Sequence, residues 1–177
     1  MNEIDNNLFK QVQKNKTPSV HYVIFNTDSI IHKFQFGFSD LKNEQKTSEA
    51  TTYHAYSVTK TFTALSILQL AEQKKLDIEQ PVKKHLPEFL YSSDITIRQK
   101  ILFTENYTTN NKATGMCLSW FTGKLNGKQY FAHAGGGGGY YCEIRIYPDL
   151  GVGNVIMFNR TGMSDERYLG EPDKLYC

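Results

Sequence analysis

The sequence contains few of the residues that cross-link a small domain or hold a metal ion. Its three cysteines, Cys117, Cys142 and Cys177, are an odd number and show no CxxC spacing, so neither a disulfide framework nor a zinc ribbon is predicted. Four histidines show no spacing typical of metal ligands; they are His21, His32, His54 and His85. We therefore predict no metal site.

The chain also lacks a strong charge of one sign and a long hydrophobic run. Lys and Arg number 20 against 18 Asp and Glu, and no window gathers the basic residues into one stripe, so no nucleic-acid partner is expected. The longest apolar runs, such as Val152–Phe158, have about half of the ~18 to 20 residues that span a bilayer, so no membrane partner is expected. Residues 1–13 do not resemble a secretory signal. The predicted location is cytoplasmic, or exported with the signal absent from this chain.

The composition is that of a folded domain. Hydrophobic residues make up 40% of the chain and charged residues 21%, which excludes the composition of a disordered chain. A length of 177 residues is enough for one domain with a hydrophobic core and too short for two ordinary ones. We predict a single domain over residues 1–177.

The hydrophobic periodicity changes twice along the chain. A stripe with a spacing of four predicts a helix over 2–13, and β-branched and aromatic runs at 20–25 and 30–38 predict a hairpin. Helical periodicity returns at 57–74, and a second short helix is predicted over 77–86. Beyond these, about four strands are predicted, at Met116–Trp120, Tyr130–His133, Cys142–Tyr147 and Val155–Phe158; the last is apolar on both faces, as in a central strand. This order indicates an α+β fold, an antiparallel β-sheet flanked by helices.

Ser57 stands at the start of the predicted helix 57–74, and Lys60 follows one turn later on the same face. A serine hydroxyl needs an adjacent base to become a nucleophile, and a buried, unprotonated lysine can supply one. Because Lys60 shares a stripe with Ala64, we expect it to be buried. The same spacing at Ser39 and Lys42 lies in a polar loop, so the spacing also arises by chance. The alternative for Ser57 is a capping serine followed by a lysine that extends to solvent.

A second cluster begins at His133 and continues through Ala134 into the five glycines of Gly135–Gly139. Such a run between strands gives poor control of register, so we expect it to serve a purpose. Glycine lets a substrate backbone approach closely and frees N–H groups for an oxyanion hole. The alternative is a hairpin connection or a flexible linker. A phosphate loop is excluded because no Gly-Lys-Ser/Thr follows and because Tyr140 begins a strand.

Taken together, these segments resemble the serine β-lactamase-like hydrolases, which include class C β-lactamases, penicillin-binding D-alanyl-D-alanine carboxypeptidases and related esterases. The resemblance covers roughly residues 18–98 and 101–165. Its N-terminal half (1–99) and its C-terminal strand half (101–165) meet at a junction near residue 100. The segments that carry it are Tyr56–Leu70, Lys75–Ile78, Pro81–Pro87, Ile95–Arg98, His133–Gly136, Tyr147–Pro148 and the strand that ends at Asn159.

The resemblance implies roles for individual residues. Ser57 would be the acylated nucleophile and Lys60 its activating partner. His133 would take the place of the basic residue that faces a substrate carboxylate or assists proton transfer. The backbone N–H groups of Ser57 and Gly136 would form the oxyanion hole, with no metal and no organic cofactor.

The family's Tyr-x-Asn motif has no counterpart at the expected place, and most of the all-helical lobe that carries it is missing. The implied fold is therefore a minimised β-lactamase/transpeptidase-like fold. Tyr107 is the nearest tyrosine and a candidate substrate-binding replacement, together with Gly135 and Gly137. Loss of a proton-shuttling tyrosine would slow the reaction by roughly 10²- to 10⁴-fold.

The function implied is that of a penicillin-recognising serine hydrolase. It would form an acyl-enzyme on Ser57 with a small-molecule ester, amide or β-lactam carbonyl, with impaired activity. One alternative is a catalytically silent truncated scaffold or binding module, associating as a homodimer through surface that the missing lobe would cover. Another is an acyl-enzyme that deacylates slowly and acts as a sensor or trap.

Overall fold

The computed structural model describes residues 2–14, 17–90, 96, 110–117, 119–160 and 166–175. The chain divides into two compact units. The first, here called the sheet unit, comprises Met1–Thr59 and Gly123–Cys177, and the second, the middle unit, comprises Lys60–Thr122. The predicted junction near residue 100 lies outside the described residues.

Seven strands form one antiparallel sheet in the order β3-β2-β1-β7-β6-β5-β4. The strands are β1 (Ser19–Asn26), β2 (Ile30–Asp40), β3 (Gln45–Lys46), β4 (Phe121–Leu125), β5 (Lys128–Gly137), β6 (Tyr140–Tyr147) and β7 (Val152–Phe158). The predicted α+β class with an antiparallel sheet is confirmed. The short strand β3 was not predicted, because two residues carry no periodicity.

The predicted hairpin of β1 and β2 is present. The two strands pair antiparallel, with Tyr22 opposite Phe34. The side chain of Asn26 accepts hydrogen bonds from the backbone N–H groups of Asp28 at 2.9 Å and Ser29 at 2.8 Å. Asn is favoured in turns for this local bonding, so residues 26–29 close the hairpin.

One face of the sheet packs on two helices, α1 (Glu3–Lys14) and α3 (Glu166–Asp173). Leu8 and Val12 of α1 are buried, which confirms the predicted amphipathic helix over 2–13. The core between helices and sheet also takes residues from β1, β6, β7 and α3, namely Val20, Tyr22, Ile24, Tyr141, Ile156, Phe158 and Leu169. The opposite face of the sheet carries the segment around Ser57.

Three predicted elements differ from the structure. A 3-10 turn at Tyr56–Val58, here called the Ser57 turn, precedes α2 (Thr59–Glu72), so the α-helix begins two residues later than predicted. The helix predicted over 77–86 is wrong, since a 3-10 turn spans Val82–Lys84 there. Pro81 before it is extended, with ψ at 140°, and proline prevents a continuous helix across this point.

The strand predicted over Met116–Trp120 is also wrong. Met116 forms an isolated bridge with Phe121, and Ser119 between them has a positive φ of 58°, which breaks the extended backbone. Leu118 lies outside the described residues. Across the described part of the chain, the helices are too short or too polar to cross a membrane.

Candidate active site

The Ser57 turn holds its residues in an unusual backbone conformation. Tyr56 has a φ of +44°, which residues with a side chain rarely adopt. The backbone N–H of Val58 donates to the Ala55 carbonyl at 3.0 Å, and the Val58 side chain is buried. Ser57 itself is half-buried. Strained residues of this kind concentrate at functional sites, and this one directly precedes the predicted nucleophile.

Strand β5 meets the Ser57 turn at Gly135. A methyl group at Gly135 would stand 2.7 Å from the Ser57 amide nitrogen and would also strike the Ala55 carbonyl oxygen. Only glycine therefore lets the two backbone segments touch. The structure thus brings together two of the predicted site residues, Ser57 and Gly135, and it places the predicted oxyanion residue Gly136 one position further along the strand.

The other glycines of the run fit the protein's own side chains. Gly137 lies under the ring of Tyr56, since a methyl there would be 3.1 Å from Cε1, and a methyl at Gly138 would strike the Tyr56 hydroxyl. Gly138 and Gly139 have φ values of +47° and +92°, as in the tight turns that join hairpin strands. This turn fixes Gly137 opposite Tyr140, so the strands on either side of the glycine run keep a defined register.

This arrangement revises the reason for the glycines. We expected them to admit a substrate backbone, yet the groups closest to Gly135 and Gly137 are the Ser57 turn and the Tyr56 ring. The role of Gly135 and Gly137 in substrate binding stays a prediction. Tyr107, the third predicted substrate-binding residue, lies outside the described residues.

His133 lies on the same face of β5 as Gly135, because residues two apart on a strand share a face. Its side chain is 8% exposed, and its Nδ1 lies 2.8 Å from the Ala134 carbonyl oxygen. A carbonyl oxygen only accepts, so Nδ1 carries the hydrogen and Nε2 is the acceptor in the neutral ring. The imidazole is thereby held in one orientation on β5, the strand that meets the Ser57 turn.

Lys60 differs from the sequence-based expectation. It is exposed, so the predicted burial of its amine is wrong. Helix α2 buries Thr61 and Ala64, whereas Phe62 is 62% exposed and Leu65 is 47% exposed. The wide apolar arc predicted a helix buried on more than one side, but among the described residues of α2 only a narrow strip of its surface is buried. Ser57 belongs to the sheet unit and Lys60 is the first residue of the middle unit.

A row of aromatic rings leads away from the Ser57 turn and was not found from the sequence. We call it the aromatic row; it consists of Tyr56, His54, Tyr140, Tyr53 and His21. Neighbouring ring centroids are 5.7, 5.0, 6.3 and 6.3 Å apart in that order. His21 and His54 were considered only for metal binding, which their spacing excluded, and the aromatic-rich run of residues 53–56 just before Ser57 was the available signal.

Cys142 is the register partner of Gly135, the residue that meets the Ser57 turn. Burial, aided by the negative charge of Glu143, raises the pKa of the Cys142 thiol to about 12. The thiolate is the nucleophilic form of cysteine, so this thiol is inert at neutral pH. Cys142 therefore does not compete with Ser57 as the nucleophile.

Comparison with known families decides the ancestry of the chain. The family model described as Beta-lactamase matches residues 4–104. The chain belongs to the beta-lactamase family. Protein flp of Staphylococcus aureus (strain NCTC 8325 / PS 47) is 31% identical over 107 residues, which cover 58% of this chain and 22% of flp. The putative penicillin-binding protein PbpX of Bacillus subtilis (strain 168) is 28% identical over 93 residues, 52% of this chain and 24% of PbpX. The chain thus spans about a quarter or less of these relatives.

Solved structures of beta-lactamase-like proteins share the fold. The octameric penicillin-binding protein homologue from Pyrococcus abyssi aligns with a TM-score of 0.76 at 10% identity, over 98% of this chain and 77% of that chain. A class C beta-lactamase from Rhodobacter sphaeroides aligns with a TM-score of 0.72 at 9% identity, over 98% of both chains. The predicted β-lactamase/transpeptidase-like fold is confirmed.

Proposed function

We propose that this chain is a serine hydrolase of the penicillin-recognising type that forms an acyl-enzyme on Ser57 with an ester, amide or β-lactam carbonyl. The observation that carries the proposal is the contact between Gly135 and the Ser57 turn, where a methyl group would stand 2.7 Å from the Ser57 amide nitrogen. The contact supports the proposal because an oxyanion hole needs N–H donors from backbone segments that lie side by side, and here the β5 backbone meets the Ser57 amide nitrogen. Membership of the beta-lactamase family supports the same chemistry.

In the proposed reaction the Ser57 hydroxyl oxygen forms a bond to the carbonyl carbon, and the hydroxyl proton passes to a base. The carbonyl oxygen becomes an oxyanion that accepts hydrogen bonds from the N–H groups of Ser57 and Gly136. The bond to the leaving group then breaks as the leaving group takes up a proton, and water hydrolyses the acyl ester.

We assign the base to Lys60 and the contact with a substrate carboxylate, or a share in proton transfer, to His133. Spacing and the family resemblance support the role of Lys60, and its exposure differs from the burial on which the sequence-based argument rested. The fixed orientation of the His133 ring supports its assignment. We expect slow turnover, because a Tyr-x-Asn tyrosine is missing from the expected place in the sequence.

Covalent labelling tests the proposal. We expect a fluorescent penicillin, or an activated ester, to add its acyl mass to Ser57, as located by peptide mass spectrometry. Ser57→Ala should abolish the adduct. Ser39→Ala removes the serine of the second SxxK sequence, which lies near the end of β2 and donates to the Gln45 carbonyl, and should leave the adduct intact. An unlabelled wild-type protein, or an adduct that persists in Ser57→Ala, contradicts the proposal.

The exposure of α2 favours a second candidate, a catalytically silent scaffold or binding module that forms a homodimer. Phe62 and Leu65 present apolar surface, and exposed apolar patches mark interaction sites. Sedimentation combined with an ester-hydrolysis assay separates the two functions. A monomer with measurable hydrolysis excludes the silent dimer, whereas a dimer without any adduct on Ser57 supports it.

A further inference from the structure

We propose that the aromatic row is the subsite for the acyl group of the substrate, and that it takes an acyl group carrying a neutral aromatic ring. The inference deepens the proposed function and rests on it for the step in which Ser57 is acylated. The existence of the subsite is tested separately from that step.

The row begins at the nucleophile itself. Tyr56 directly precedes Ser57, and the ring centroids of Tyr56 and His54 are 5.7 Å apart, so the first two rings of the row belong to residues within three positions of the nucleophile. We expect an aromatic acyl group on Ser57 to extend towards them. Tyr56 is 38% exposed and His54 is exposed, whereas Tyr53 and Tyr140 are half-buried. The rings near Ser57 are therefore accessible to a ligand, and those further away support them.

The Tyr56 ring is fixed by the backbone around it. Its positive φ aims the side chain at the glycine run, and Gly137 and Gly138 leave room for the ring where any side chain would clash. Further along the row, the Tyr53 hydroxyl lies 2.8 Å from the Ser19 hydroxyl. Rigid rings lose little conformational entropy when a ligand binds, so the row is preorganised for binding.

The ring geometry indicates the chemistry of the ligand. His54 and Tyr140 meet edge to face at an interplanar angle of 71°, and Tyr53 and Tyr140 at 89°. Such edge-to-face contacts are the arrangement that another aromatic ring can extend. Burial lowers the pKa of His21 and raises the pKa of Tyr53, which favours the uncharged form of both. A charged acyl group would lose hydration here without gaining an ion pair from the row.

Equilibrium binding tests the subsite without any reaction. We expect saturation-transfer NMR on the Ser57→Ala protein to show tighter binding of phenylacetamide than of cyclohexylacetamide, two neutral amides of similar size. Adding His54→Leu or Tyr140→Leu should reduce this preference to near unity. His54 is exposed, so its variant keeps the test available if Tyr140→Leu fails to fold. Phe9→Leu removes a ring that pairs with Phe36 elsewhere and should keep the preference.

Acylation tests the link to Ser57. Vinyl phenylacetate and vinyl cyclohexylacetate release the same leaving group, which rearranges to acetaldehyde, so their rates differ through the acyl group alone. We expect the aromatic ester to acylate Ser57 about five- to tenfold faster, and the ratio to fall towards one in His54→Leu. Equal binding of the two amides, or a preference for trimethylammonioacetamide, overturns the aromatic subsite. Preferential aromatic binding without acylation by either ester overturns the proposed function and leaves the subsite standing.

Discussion

Gly135 is the residue on which the candidate site depends most directly. Gly135→Ala would place a methyl group 2.7 Å from the Ser57 amide nitrogen and against the Ala55 carbonyl, so the Ser57 turn must move. Removal of one oxyanion donor typically slows acyl transfer by about 10²- to 10³-fold, and we expect Gly135→Ala to lower the rate of Ser57 acylation by this amount. The measurement is the rate of adduct formation with an activated ester.

A matched substitution separates this effect from a general loss of stability. A methyl group at Gly170 meets no atom within 4 Å, so Gly170→Ala should acylate at the wild-type rate. Circular dichroism and thermal unfolding of both variants verify that they fold. Wild-type acylation by a folded Gly135→Ala protein would show that the contact between β5 and the Ser57 turn has no part in the reaction.

Helix α3 is joined to the sheet by a buried network of charged and polar groups. Asp173 accepts hydrogen bonds from the Tyr147 hydroxyl at 2.6 Å and from Arg145 Nη1 at 3.4 Å, and Arg145 Nε donates to Glu143 at 2.7 Å. Burial lowers the pKa of Arg145, but the two carboxylates outweigh it and raise that pKa above its ordinary value. Arg145 therefore stays charged inside the core.

Asp173→Asn should test how strongly this network holds α3. Breaking a buried ion pair by removing one charge costs about 3 to 5 kcal/mol, and we expect a loss of free energy of unfolding of this order in urea titrations. Glu171→Gln is the matched control, because its ion pair with Lys174 is about half exposed and such pairs contribute about 0 to 1 kcal/mol. Equal stability of the two variants would contradict a structural role for the Asp173 network.

The elements differ in how far the sequence predicts them. Alternation predicts β2 and β6 because a half-buried strand must place every second side chain in the core, and apolar runs predict β1 and β7. The same alternation gave β6 one polar face, with Glu143 and Arg145, but α3 covers those residues and both are buried. The pattern misses this because Asp173, which pairs with Arg145, is remote in the chain.

The candidate site shows the same limit. Ser57, His133 and the glycine run were predicted from local motifs, and the resemblance assigned their roles. The contact between Gly135 and the Ser57 turn depends on how β5 packs, and no local pattern encodes it. The burial expected of Lys60 is wrong because an apolar arc indicates that a helix tends to be buried. It does not indicate which residues of the chain pack against the helix. The aromatic row likewise depends on tertiary packing, because it brings three residues that precede Ser57 next to His21 of β1 and Tyr140 of β6.

At the scale of the whole molecule, the exposed apolar surface of α2 leads to a prediction about association. Phe62 is 62% exposed and Leu65 is 47% exposed, and burying such side chains contributes about 1.5 to 3 kcal/mol each. We expect the sedimentation coefficient to rise with protein concentration, and Phe62→Asp with Leu65→Asp to remove this rise. Ile31→Asp changes a similarly exposed residue on β2 (53%) and should leave association unchanged. A wild-type protein that sediments as a monomer at every concentration would contradict the prediction. Such a result, combined with an adduct on Ser57, would leave the serine hydrolase as the better supported of the two functions.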